Sequence, residues 1–209
     1  MEDYSYIELE RKHLENKLLE LIKSIGDIPI ANNKIMPFGW RKAAKGRTVW
    51  RIVEEVISQN LESKAHELGF DSVRPASSEV GVYDFIFRYG KYKESYVNIK
   101  SSVLGGRTNK DDISKAEKLI EFYTENPNAN LYIATFVIKF NPNMTIGLED
   151  CIVFPTAWIP DVYVNPSNNG NLQSSQYKKI ENAIKRTPEE FLKLLIAENE
   201  IANKKKNKE

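Results

Sequence analysis

The chain has 209 residues, 41% hydrophobic and 28% charged, with a formal net charge of +1. That length and balance fit one domain able to bury a full core, and so neutral a charge does not announce nucleic acid, which must be read from local clustering instead. One cysteine, Cys151, excludes an intrachain disulfide and a zinc cluster, and with only His13 and His66 no histidine-rich metal site is expected. No apolar run reaches the roughly eighteen residues of a membrane span, and no charged n-region is followed by the apolar stretch of a signal peptide, so the expectation is a cytoplasmic protein without a membrane partner.

Residues 4–25 carry Ile7, Leu14, Leu18, Leu21, Ile22 and Ile25 near one face at helical spacing, and Gly26 follows as a stop. This helix either packs on the core or dimerises. Residues 27–47 read as a basic loop. Between positions 28 and 53 there is no acidic residue, while six bases occur, Lys34, Arg41, Lys42, Lys45, Arg47 and Arg51. Phe38, Trp40 and Trp50 are interleaved, and Pro37, Gly39 and Gly46 mark turns. Such a segment follows a phosphate backbone by neutralising phosphates, or is a solvated loop. A second helix is expected over 48–69 with Thr48 as its N-cap. Its apolar stripe runs through Val49, Ile52, Val53, Val56, Ile57, Leu61, Ala65 and Leu68. Glu54 lies beside that stripe, either approaching the sheet edge or solvated at the boundary.

Residues 82–88 and 96–99 are dense in aromatic and β-branched residues, and residues 89–94 between them are polar with one glycine, the pattern of a hairpin. Asp84 stands in the first run, and Asn98 and Lys100 end the second. Strand side chains alternate faces, so Asn98 and Lys100 share one face, and pairing of the strands brings Asp84 to it. A flexible loop over 103–110 follows. A helix is then expected from Asp111 or Asp112, either serving as cap, through Tyr123. Residues 131–140 form a buried strand. The strand–helix–strand order predicts a crossover that sets this strand parallel to the Asn98 strand. Residues 144–148 and 151–154 continue as a meander, with Cys151 as a buried, inert thiol. Residues 158–177 crowd Asn168, Asn169, Asn171 and Gln173 among turn formers. Asn and Gln pair with the edge of adenine in the major groove, although the same composition suits a plain turn. Thr187, Pro188 and Glu190 open a last helix as a capping box. The expected fold is α/β (α+β), with a mixed central sheet of about five strands flanked by helices.

Asp84, then Asn98 and Lys100 after thirteen intervening residues, resemble the Asp…acid-x-Lys pattern of the PD-(D/E)xK nuclease superfamily, with Asn where the family has its middle acid. The resemblance to type II restriction endonucleases of the EcoRV type extends over residues 48–102. Glu54 stands on a helix fifteen residues before Gly69, an aromatic residue follows that glycine, and Ser101 and Ser102 follow Lys100. It implies a restriction-endonuclease-like fold and a Mg²⁺-dependent enzyme that hydrolyses phosphodiester bonds in double-stranded DNA as a homodimer. Asp84, Asn98, Lys100 and Glu54 are its implied catalytic residues, with Asp84, Asn98 and Glu54 on the metal. Residues 1–26 are then an N-terminal helix, 27–47 the basic DNA-binding loop, 48–155 the catalytic core, 156–180 the recognition loop and 187–203 the C-terminal helix of one nuclease domain. Asn98 also motivates an alternative, a catalytically inactive nuclease-derived DNA-binding protein, and the near-neutral charge a third reading, an α/β domain without nucleic acid.

Overall fold

The computed structural model describes residues 4–77, 81–90, 93–106 and 110–206. Parts of the expected hairpin turn (91–92), the flexible loop (107–109) and the terminal tail (207–209) lie outside the described residues. In chain order the elements are α1 (Ser5–Ile25), β1 (Ile28–Pro29), α2 (Gly46–Ser63), β2 (Ser72–Pro75), β3 (Phe85–Arg88) and β4 (Ser95–Val103). They continue as β5 (Asp111–Lys115), α3 (Ala116–Glu125), β6 (Leu131–Phe140), β7 (Thr145–Pro155), β8 (Tyr163–Asn165), β9 (Asn171–Ser174) and α4 (Pro188–Lys206).

The apolar run of β6 leaves no polar face for water, and its first six residues are all buried. It is a central strand of a six-stranded sheet ordered β1-β7-β6-β4-β3-β2. β4 and β6 are parallel, with Lys100 opposite Thr135, while β3–β4 and β6–β7 are antiparallel. The crossover between β4 and β6 thus makes the expected parallel pair. The fold is α+β: among the described residues it has four α-helices, this mixed sheet, and a three-stranded sheet ordered β5-β9-β8. α1 packs against β7, α2 against β4, and α3 against α4, where Tyr123 meets Phe191 edge to face at 5.6 Å.

Several local expectations need correction. α2 begins at Gly46, because the Thr48 N–H already bonds back to the Lys45 carbonyl and so lies inside the first turn. It ends at Ser63 instead of running to 69; residues 64–69 form a tighter turn that closes on Gly69 at φ +84°, a left-handed conformation suited to glycine. β2 is an unexpected strand, short, partly exposed and ending in Pro75, which suits it only to the sheet edge. Asp111 and Asp112 do not cap a helix. They sit in β5, drawn into a strand by pairing with β9, some sixty residues on, and α3 starts at Ala116. The two expected segments at 144–154 are one strand, β7. Its register shifts opposite Val137 and Ile138, so a bulge at Glu149 absorbs the polar interruption without ending the strand. The capping box of α4 is present: Glu190 N–H donates to the Thr187 hydroxyl at 3.1 Å, and Thr187 N–H to the Glu190 carboxylate at 2.8 Å. Cys151 is buried in β7, and burial pushes its thiol up.

One buried acid ties α1 to the sheet. Glu10, 1% exposed, accepts hydrogen bonds from the Ser95 hydroxyl at 3.0 Å, Asn130 Nδ2 at 3.0 Å and Tyr132 Oη at 2.6 Å. Removing the carboxylate strands buried donors, each costing on the order of 1–3 kcal/mol. Glu10→Ala is therefore expected to destabilise the fold by about 3 kcal/mol, with Glu10→Gln milder because it keeps an acceptor. Urea unfolding with an unchanged m value is the measurement.

Candidate active site

Asp84 stands one residue before β3, and its position is fixed from two sides. Its N–H donates to the Val97 carbonyl at 2.7 Å, and its own carbonyl accepts from Ala76 N–H at 2.8 Å. Its carboxylate accepts the Ile99 N–H at 2.5 Å. The β-rich sequence on either side makes this pairing, and the side chain extends it past the end of the strand. Asn98, between those two attachment points, is 9% exposed and donates through Nδ2 to the carbonyls of Val82 at 3.0 Å and Ile113 at 3.4 Å.

Glu54 reaches the same place from α2. Its side chain is 14% exposed, and Arg51 approaches it at 3.8 Å. Glu54 and Asp84 both line a cavity of about 740 Å³ between α2 and Pro75, Ala76 and Tyr83, together with Arg51, Glu55 and Gln59. Burial raises the Glu54 carboxyl to about 7; the Asp84 charge adds to the shift, while Lys100 and Arg51 oppose it. Burial also raises Asp84, against the Ile99 hydrogen bond and the Lys100 and Arg51 charges. Lys100 is not in the cavity wall. Burial lowers its ammonium from the ordinary lysine range, opposed by the charges of Asp84, Glu54, Asp112 and Asp111. Asp84 thus raises a desolvated Glu54 beside a desolvated lysine, a cluster of perturbed groups that marks a candidate functional site.

The structure thus brings Asp84, Glu54 and Lys100 into electrostatic reach of one another, with Asn98 turned to backbone carbonyls beside them. Among the described residues no group of three or more His, Cys, Asp or Glu could hold a metal ion. The donor set is a pair of carboxylates without sulfur or imidazole. It fits Mg²⁺, which takes one or two carboxylates and keeps several waters, and does not fit a structural zinc.

The basic segment is ordered by its aromatics. Trp40 donates its indole N–H to the Asn141 carbonyl at 2.7 Å and packs edge to face on Phe140. Arg41, at φ +43°, lies over the Phe38 ring, and Arg51 over Trp50 at 4.0 Å. Lys34, Arg41, Lys42, Lys45 and Arg47 are all exposed, as are Ile35, Phe38 and Ile52. This acid-free segment continues into the first turns of α2, which carry Arg51 and Glu54 to the cavity.

The expected recognition loop is a β-hairpin. β8 and β9 pair with Tyr163 opposite Gln173, and Asn169 at φ +53° and Gly170 at φ +69° turn the chain between them. Asn171 stands opposite both Lys115 and Asn165. The Asn168 and Gln173 amides donate to the Asp112 carboxylate at 2.8, 2.9 and 2.6 Å. In the sequence Asp111 and Asp112 look like a helix start, because two acids precede an apolar stripe and nothing local reveals β9 as their partner. No protein-family model matches the chain, and no curated protein matches it either.

The raised Glu54 carboxyl has a signed consequence. Its folded value of about 7 exceeds the ordinary 4.5, so the folded state holds the proton more tightly. Stability contributed by the neutral form is present below about 4.5 and lost as pH rises through 7, and Asp84 adds in the same direction. With divalent ions chelated, the melting temperature is expected to fall between pH 5 and pH 8, and Glu54→Gln to flatten that fall. Thermal unfolding across the window checks both.

Proposed function

We propose that the chain is a Mg²⁺-dependent, sequence-specific endonuclease of double-stranded DNA, resembling type II restriction enzymes and acting as a homodimer. The observation that carries this reading is the convergence of Asp84, Glu54 and Lys100 beside a cavity to which the acid-free basic segment leads. Lys34, Arg41, Lys42, Lys45 and Arg47 neutralise phosphates of the duplex, and Phe38 and Trp50 add apolar surface. Asp84 and Glu54 hold Mg²⁺, which when bound supplies charge neutralisation at the scissile phosphate and a more acidic water. Lys100, whose ammonium burial lowers from the ordinary lysine range, exchanges a proton with the attacking water and stabilises charge on the phosphate oxygens in this reading. Water adds at phosphorus, and the opposite oxygen leaves. Asn168, Asn169, Asn171 and Gln173 on the hairpin read bases, Asn168 and Gln173 exchanging their bonds to Asp112 for base edges.

A second reading, an inactive nuclease-derived DNA-binding protein, is favoured by one observation: the amide at position 98 spends its donor on the backbone.

Supercoiled plasmid incubated with Mg²⁺ is expected to become nicked and linear, and to stay intact in chelator. Lys100→Ala and Asp84→Asn should lower cleavage at least about a hundredfold, roughly 2.7 kcal/mol of barrier. Lys100→Ala should still shift duplex DNA in Ca²⁺ within about tenfold of wild type. Intact plasmid together with a persistent gel shift would favour the second reading, and loss of both would sink each. Replacing Arg41 and Lys45 together by Ala should weaken binding to all sequences and lower the log–log salt slope by about two, as fluorescence titration across salt concentrations would show.

A further inference from the structure

Position 98 is where the chain departs from the family pattern, and the local bonding gives a physical reason. A carbonyl oxygen only accepts, so Asn98 must turn its NH₂ group toward Val82 and Ile113, which fixes the orientation of the amide. A carboxylate has no proton to give there. An ionised acid would set its charge against two carbonyl dipoles in a site that is only 9% exposed.

The segments joined are those that matter to the site. Val82 lies two residues before Asp84, and Asn98 two residues before Lys100. Ile113 follows Asp112, which the hairpin grips through Asn168 and Gln173. Asp84 is also bonded to Val97 and Ile99, on either side of Asn98. A single side chain therefore meets the strand bearing Lys100, the segment bearing Asp84, and the small sheet bearing the hairpin.

We infer that Asn98 is a positioning residue: its amide nitrogen pins the Asp84 segment and the β5–β9–β8 sheet to the Lys100 strand, and position 98 is not a metal ligand. The inference rests on the nuclease reading for the identity of the site, but its bonding can be measured without cleavage.

Amide hydrogen exchange and Mn²⁺ binding by calorimetry, on the full chain, test it. In Asn98→Ala the amides of Asp84 and Ile99 should exchange at least about tenfold faster while that of Phe136 keeps its protection. The Mn²⁺ affinity of the folded protein should drop by about threefold or more. Asn98→Asp should show both changes in spite of its added charge. Should Asn98→Ala fail to fold, Asn98→Ser, which keeps one donor, is read in the same two ways.

Tightening of Mn²⁺ by about tenfold in Asn98→Asp would make position 98 a metal ligand and overturn the inference. Faster exchange with Mn²⁺ affinity unchanged would reduce Asn98 to a structural tie and overturn the positioning role, and unchanged exchange would overturn it outright. Absence of Mn²⁺ binding by the wild type would sink the nuclease reading, while the exchange rates still decide whether Asn98 pins these segments.

Discussion

The attachment of Asp84 to β4 is the constraint on which the site depends. Backbone bonds to Val97 and Ala76 fix the residue, and its carboxylate is tied to the Ile99 N–H. An acid held in this way cannot swing out to water when its neighbours repel it. Its charge therefore remains in place to raise Glu54, which approaches on the stiff scaffold of α2. Placing two acids and a lysine where each is desolvated costs stability. Such a cost is tolerable only where the surrounding structure is rigid, and the buried run of β6 against β4 and β7 provides that rigidity.

Asp84 and Glu54 lie toward the cavity, and Asp111 and Asp112 act on Lys100 as well. Both outer acids are already engaged: Asp111 accepts from Tyr177 at 2.9 Å and Lys178 at 2.7 Å, and Asp112 from the hairpin amides. Among the described residues the Asp84 and Glu54 carboxylates take one hydrogen bond, from the Ile99 N–H to Asp84, and Arg51 approaches Glu54 at 3.8 Å. Charge demand is thus greatest toward the cavity, the side to which the basic segment leads.

The small sheet gives the hairpin a mounting that an irregular loop would lack. Its strands bury Ile113, Val164 and Leu172, while the polar residues beside them meet Asp112. A group of amides that reads as a turn from composition is held in a defined array, joined to the Lys100 strand through Ile113 and Asn98. Motion of the hairpin would be felt first at Asp112 and Ile113.

What the sequence determined by itself was set by short-range periodicity and local chemistry. The stripe of α1, the capping box of α4, the buried run of β6 and the alternation that puts Asn98 and Lys100 on one face are properties of neighbouring residues. The parallel pairing of β4 and β6 followed from the order of elements, since a strand, a helix and a strand leave few other ways to close a sheet. Only the tertiary structure decided the rest, because each remaining feature depends on a partner far along the chain. β5 is a strand instead of a helix start because β9 pairs with it; β2 exists because β3 offers it an edge; β7 continues through Glu149 and Asp150 because β6 accommodates a bulge. The direction of the Asn98 amide, toward Val82 and Ile113, belongs to this second class. A one-letter departure from a motif carries no record of which backbone oxygens the fold brings against it.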